Sequence, residues 1–126
     1  VLLGKVALNA VINPLTALHG VTNGKLMQPP LLAITEEVIE EVQSVLVCAD
    51  AREIASALPA QVRAVCDCTA ANHSSMRVDL EGGTRTEIDA IVGWLLSSLT
   101  PHPPATPVLS ELYEAVKERE LKLLRA

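Results

Sequence analysis

The sequence has no phenylalanine, one tryptophan and one tyrosine, so aromatics make up 2% of its 126 residues. Its core must therefore be aliphatic, with no set of large rings to dominate it. Cysteine is scarce and odd in number: Cys48, Cys66 and Cys68. A secreted disulfide scaffold would be denser in cysteine and even in count. The three read as small buried hydrophobes in a reducing compartment. A soft-metal site is the alternative, but the C-x-C spacing of Cys66 and Cys68 departs from the usual zinc pairs. Positive charge is also short, with Lys+Arg 10 against Asp+Glu 15 and a net charge of −5. That excludes the basic footprint of a nucleic-acid binder or of a protein held on an acidic membrane. No apolar run reaches the ~20 residues needed to cross a bilayer. The chain has no G-x-G-x-x-G turn, no P-loop and no G-x-S-x-G elbow. A nucleotide used by this protein must have its phosphate cradle elsewhere, and a serine-hydrolase triad has no support.

What remains is 49% hydrophobic and 20% charged, in a length that suits one domain. No alternating strand pattern and no internal repeat is present. The whole chain reads as a single all-α domain of five to seven helices. Residues 1–18 are apolar nearly all round, which marks a helix buried among other helices. Pro14 lies inside it and predicts a kink or break. The segment VLLGKVALNAVINPL lacks a basic n-region and makes a poor signal peptide. With Val rather than Met at position 1, a piece of a longer protein is expected.

Pro29-Pro30 opens a helix from Leu31 to about Cys48. Its Glu36, Glu37, Glu40 and Glu41 read as a solvated face rather than a metal site. Asp50 reads as the N-cap of a helix over 51–58, and Pro59 as the opening of the next segment, helical over 60–72. Ser74 or Ser75 caps a short turn, and Glu81-Gly82-Gly83 is a loop. Thr86 caps a helix running to about Leu99, and prolines 101–107 form a stiff connector. Pro107 stands at the first position of the last helix.

The most informative pattern is Lys5, Asn9 and Asn13, spaced i, i+4, i+8 along one side of an otherwise aliphatic helix. Either the three face a cleft, with the lysine offered to an anionic or carbonyl substrate, or Lys5 reaches solvent and both asparagines tie down local backbone. Glu87 either reaches a neighbouring lysine, favouring its charged form, or complements a helix N-terminus. His19, His73 and His102 show no ligand spacing and read as exposed or satisfied side chains.

These residues fall into two ordered motifs. The first is Lys5, Asn9, then Asn13-Pro14-Leu15-Thr16-Ala17 and the Asn23-Gly24 turn. The second is Ser74-Ser75-Met76 with Asp79, followed by Thr86-Glu87-Ile88-Asp89, Ile91 and Gly93. Together they resemble the C-terminal helical domain of the ketopantoate reductase (2-dehydropantoate 2-reductase) family, whose fold is that of 6-phosphogluconate dehydrogenase C-terminal domains. The resemblance runs over nearly the whole chain.

It implies that residues 1–126 form a substrate-binding and dimerisation domain, and that an N-terminal Rossmann domain, absent from this chain, binds NADPH. It implies reduction of ketopantoate to pantoate on the route to pantothenate and coenzyme A, in the cytoplasm or an organelle. Lys5 matches the lysine that polarises or protonates the developing alkoxide, and Glu87 the glutamate that helps hold substrate and lysine. Asn9, Asn13 and Ser75 match substrate-binding residues, and no metal is implied. The partners are a small 2-oxo acid, the chain's own Rossmann domain and a second copy of itself, with no nucleic acid and no membrane. The Gly82-Gly83 loop and the 101–107 connector depart from the family pattern. The isolated domain is expected to be helical, dimeric and inactive. Two alternatives stand beside this reading: a reductase of another 2-oxo acid, and a non-catalytic helical dimerisation module.

Overall fold

The structure, a computed structural model, describes residues 2–125. The described residues form six α-helices and no strand. In chain order these are α1 (Leu2–His19), α2 (Leu31–Cys48), α3 (Arg52–Cys68), α4 (Ser75–Glu81), α5 (Trp94–Ser97) and α6 (Pro107–Arg125). A 3-10 segment, Asn23–Met27, follows α1, and a π-helical turn, Asp89–Gly93, runs directly into α5.

Helix α1 is the hub. It packs against α2, α3, α4, α6, the 3-10 segment and the π turn. Every residue from Ala10 to Ala17 is buried. The core around it is aliphatic, with Leu15, Leu26, Leu46, Leu58 and Leu109 fully enclosed. Burying one such side chain stabilises the fold by about 1.5–3 kcal/mol, so the missing aromatics are replaced by many smaller contributions.

Neither internal proline breaks its helix. Pro14 lies within the unbroken α1, where a kink or break was the expectation. Pro59 lies within α3 instead of opening a new segment. A proline deprives the carbonyl four residues earlier of its helical donor. For Pro59 that carbonyl belongs to Ala55, and Gln43 of α2 supplies the replacement, its Nε2 donating to Ala55 O at 2.8 Å. A neighbouring helix thus satisfies the carbonyl that Pro59 leaves without its helical donor.

Asp50 is not the N-cap of α3. It has φ +61°, in the left-handed region, and follows the end of α2. Its N–H donates to Val47 O at 3.0 Å and that of Ala51 to Leu46 O at 2.8 Å, the paired bonds of a Schellman turn. The exposed side chain of Asp50 therefore points away from a capping role, and Ala51 precedes α3 with no side-chain cap.

The acidic face of α2 also holds an exception. Glu36, Glu37 and Glu40 are exposed, as a solvated face requires. Glu41 is half-buried, and its two carboxylate oxygens accept from Val108 N at 3.0 Å and Leu109 N at 2.7 Å. Those are first-turn amides of α6, left without intrahelical acceptors. A carboxylate there also faces the positive end of the helix dipole. Pro107 at the first position of α6 has no N–H to satisfy, as the sequence predicts.

Of the cysteines, only Cys66 is the buried hydrophobe the sequence suggests; Cys48 and Cys68 are exposed. Burial, reinforced by Asp67, pushes the Cys66 thiol up to about 11. Its thiolate is therefore scarce at neutral pH, while the other two are open to reagent. Thiol titration of the native protein will count two fast groups, and a third only after denaturation. Three equally fast thiols in the native state would contradict the packing of Cys66.

Candidate functional site

The Lys5, Asn9, Asn13 strip runs from solvent into the interior. Lys5 is exposed, Asn9 half-buried and Asn13 only 7% exposed. Eight residues at 1.5 Å each put the Lys5 and Asn13 backbones about 12 Å apart along the helix axis. Lys5 borders a surface groove between α1 and α3, with Gly4, Leu8, Gln61, Ala64 and Val65. No carboxylate of the described residues lies within 4 Å of its ammonium.

Asn13 is the unusual member. Its backbone carbonyl accepts from Thr16 Oγ1 at 3.1 Å, but its side-chain amide makes no hydrogen bond among the described residues. Its polar atoms are not fully enclosed, since Asn23 Oδ1 is the one buried, unpartnered side-chain atom among the described residues. The two asparagines therefore do not tie down their own helix, and the polar strip is free to face a ligand.

Ser75 is the first residue of α4 and is exposed. Its neighbour Ser74 does the structural work. Ser74 Oγ accepts from Arg77 N at 3.1 Å, capping α4, and is hydrogen-bonded to Thr16 Oγ1 at 2.7 Å. That buried hydroxyl pair locks the start of α4 onto the later turns of α1. It sets Ser75 on the end of an element clamped to the helix that carries the strip.

Glu87 is exposed in a bend just before the π turn, and its carbonyl accepts from Ile91 N at 3.0 Å. The expected cap at Thr86 is present, since Thr86 Oγ1 accepts from Ile88 N at 3.2 Å. The helix it opens begins as a π turn rather than an α-helix. π turns recur at functional sites, where the extra residue re-aims a side chain. Lys5, Asn9 and Asn13 are on α1, and both α4, which begins at Ser75, and the π turn that follows Glu87 pack against α1. No hydrogen bond or ion pair among the described residues joins any two of the five, so Glu87 and Lys5 are not paired here.

The structure adds one residue that the sequence suggested only as part of a turn. Asn23 Nδ2 donates to Thr69 Oγ1 at 3.0 Å, while its Oδ1 is buried with no partner. Buried acceptors are almost always satisfied, so this oxygen calls for a partner beyond the described residues. The chain around it is held tightly. Asn23 N donates to Asn72 O at 3.0 Å and Gly24 N to Ala70 O at 3.1 Å. Only a fold that brings residues 69–72 beside residue 23 exposes the signal.

Metal and nucleotide chemistry find little purchase among the described residues. No group of three or more His, Cys, Asp or Glu is placed to hold a metal ion. Among the described residues no strand-to-helix glycine turn of the kind that cradles a pyrophosphate is present. No described helix is long and apolar enough to cross a membrane.

Comparison with known proteins agrees with this architecture. Residues 1–120 match the family model described as ketopantoate reductase PanE/ApbA C terminal. The 2-dehydropantoate 2-reductase of Vibrio cholerae serotype O1 is 40% identical over 116 residues, spanning 92% of this chain and 39% of that protein. Its counterpart in Bacillus subtilis is 40% identical over 120 residues, with 94% and 39% covered. The solved structure of the probable Bacillus subtilis enzyme superposes with a TM-score of 0.79 at 39% identity, over 92% of this chain and 39% of that one. A PanE/ApbA family ketopantoate reductase from Ralstonia eutropha JMP134 gives 0.80 at 26% identity, over 97% and 41%. The chain thus spans about two fifths of the length of these relatives. By the family model, the 40% identity to named reductases and the matching helical fold, this chain belongs to the ketopantoate reductase family and corresponds to its C-terminal domain.

Proposed function

We propose that this domain completes the active site of a two-domain, NADPH-dependent 2-dehydropantoate 2-reductase. Its partner is an N-terminal Rossmann domain, which carries the dinucleotide. The observation that carries the reading is Asn13, a residue at 7% exposure whose side-chain amide makes no bond among the described residues. It lies on the same helix face as an exposed lysine.

The nicotinamide supplies hydride, and this chain supplies the groups that bind ketopantoate and manage its proton. Lys5 Nζ stands at the solvent end of the strip, where it donates a proton to the C2 carbonyl oxygen as negative charge develops there. An ammonium that meets charge present mainly in the transition state speeds the chemical step rather than tightening ground-state binding. Glu87 helps hold the lysine and the substrate once the cleft closes. Asn9, Asn13 and Ser75 hydrogen-bond the carboxylate and hydroxyl of the substrate, and the orphan Oδ1 of Asn23 is a further acceptor for a hydroxyl. Three free cysteines, two of them exposed, suit a reducing compartment such as the cytoplasm. A second copy of the protein completes the reading as a homodimer.

The test joins this domain to an N-terminal dinucleotide-binding domain, its own or that of the Bacillus subtilis relative. NADPH consumption is followed with ketopantoate and with a panel of other 2-oxo acids. A clear preference for ketopantoate is the expected result. Preference for another acid moves the substrate, and no turnover by a folded, NADPH-binding protein removes the enzymatic reading.

Within that enzyme, Asn13→Ala will raise KM by about 10–100-fold, the loss of a hydrogen bond to a charged group. Because the amide makes no bond among the described residues, Tm will hold. An unchanged KM with a lowered Tm would assign Asn13 to the support of Pro14 instead.

A further inference from the structure

Glu87 reaches out from a bend and its carboxylate has no partner among the described residues. Such a side chain is aimed only as well as its backbone is fixed. The backbone on both sides of it is held by one stripe of α6, formed by Tyr113, Lys117 and Glu120 at helical spacing.

On the leading side, Glu120 Oε2 accepts from Thr86 N at 2.7 Å and from Thr86 Oγ1 at 2.6 Å. Glu120 is 5% exposed, an unusual depth for a carboxylate, and both contacts shorten as charge-assisted bonds do. Thr86 Oγ1 in turn accepts from Ile88 N, so Glu120 fixes the residue before Glu87 and orients the cap just after it. On the trailing side, Asp89 accepts from the Tyr113 hydroxyl and, at 2.6 Å, from Lys117 Nζ. Lys117 also lies 3.9 Å from Glu120 Oε1, which joins the two grips. Tyr113 presses on the far end of the π turn as well. A Cβ on Gly93 would stand 3.3 Å from Tyr113 Cε1, closer than comfortable contact.

The pull of this network shows in its charges. The Lys117 and Tyr113 bonds hold the Asp89 carboxyl below its ordinary range, and the bond to Asp89 raises Lys117. Nothing in the core requires such an arrangement. Packing α6 on its neighbours needs only aliphatic side chains, such as the buried Leu109, Leu112 and Val116. The polar stripe is spent on residues 86 and 89, on either side of Glu87.

We propose that Glu120, assisted by Lys117 and Tyr113, is a positioning residue that acts through Glu87, fixing the bend from which that carboxylate enters the cleft. The proposal rests on the reading of Glu87 as part of the reductase site.

The test is a double-mutant cycle in the two-domain enzyme, scored on kcat with ketopantoate. Glu120→Ala is expected to lower kcat by about tenfold or more, since a small misplacement of a reacting group has costs of this order. Glu120→Gln keeps an oxygen for the Thr86 amide and should recover most of that loss. In a Glu87→Gln background, Glu120→Ala should change kcat by less than about twofold, because residues acting as a unit are not additive. Amide hydrogen exchange provides a readout independent of turnover: Thr86 and Ile88 should exchange faster in Glu120→Ala, with α2 and α3 unchanged.

Equal losses in both backgrounds would show that Glu120 only stabilises the fold and would overturn the proposal. So would a folded Glu120→Ala enzyme with parental kcat. An inactive parent enzyme would remove the reading of Glu87 itself, and the proposal with it. If Glu120→Ala does not fold, Thr86→Val carries the same cycle: it removes the hydroxyl contact to Glu120 and the acceptor for Ile88 N, and keeps the bond from Thr86 N to Glu120.

Discussion

Lys5→Ala, made in the two-domain reductase, will lower kcat by about 10²–10⁴-fold, the usual contribution of a positioned general acid. The fold will be unaffected. Lys5 is exposed, forms no ion pair with the described residues, and stands one turn ahead of the stretch of α1 that is continuously buried. Its loss therefore removes chemistry and leaves packing alone. The split between kinetic parameters carries the diagnosis. An interaction made only in the transition state lowers kcat and kcat/KM together, while a binding contact raises KM alone. Lys5→Arg keeps the positive charge but offers a much weaker acid in a planar group, so it should recover little. Steady-state kinetics beside a thermal melt decide the matter. A kcat within about tenfold of the parent, from a folded variant, would take proton donation away from Lys5.

Gly24→Ala will unfold the domain more readily, by about 2–4 kcal/mol, the upper range of overpacking costs together with lost hydrogen bonds. The added Cβ would lie 2.7 Å from Ala70 Cβ, 3.0 Å from Ala70 Cα and 3.1 Å from Ala70 O. Two of those atoms are backbone, so no side-chain rotation relieves the clash. The 3-10 segment must move away from the α3–α4 connection. That breaks the bonds from Asn23 N to Asn72 O and from Gly24 N to Ala70 O, and it carries the Asn23 amide with them. For a domain of this size the loss appears as a fall in Tm of about 10 °C. Ala70→Gly in the same background should recover part of it, since the Cβ–Cβ clash disappears. A Tm within about 2 °C of the parent would mean that the segment shifts without cost and that the close approach is not needed.

Helix boundaries governed by neighbouring residues were legible in the sequence. Pro29-Pro30 ahead of α2, Ser74 ahead of α4 and Pro107 at the start of α6 signal through local chemistry, and each stands where the pattern predicts. The polar face of α1 was equally plain, because helical spacing alone puts Lys5, Asn9 and Asn13 together. What stayed hidden depends on partners far along the chain. Pro59 reads locally as a helix boundary, and the donor for the carbonyl it strands, Gln43, comes from another helix. Glu41 looks like one more solvated carboxylate until α6 presents its amides 67 and 68 residues later. Asp50 is a good cap by residue type, yet it takes the left-handed position that closes α2. The spacing of Glu87 from Lys5 along the chain carries no information on distance, and the structure leaves the two unpaired.

The central place of α1 bears on how the domain is made. Of the six described α-helices it is translated first, and every described element that packs on it is translated later. Helix α6, among its neighbours, is the last to be synthesised. At ~5–20 residues per second the ribosome needs on the order of 5–20 s to deliver the roughly 100 residues that follow α1. Through that interval the aliphatic face from Ala10 to Ala17 has no complete shelter. Nascent chains that stop before α6 should therefore hold chaperones, and release from them should coincide with the appearance of the last helix.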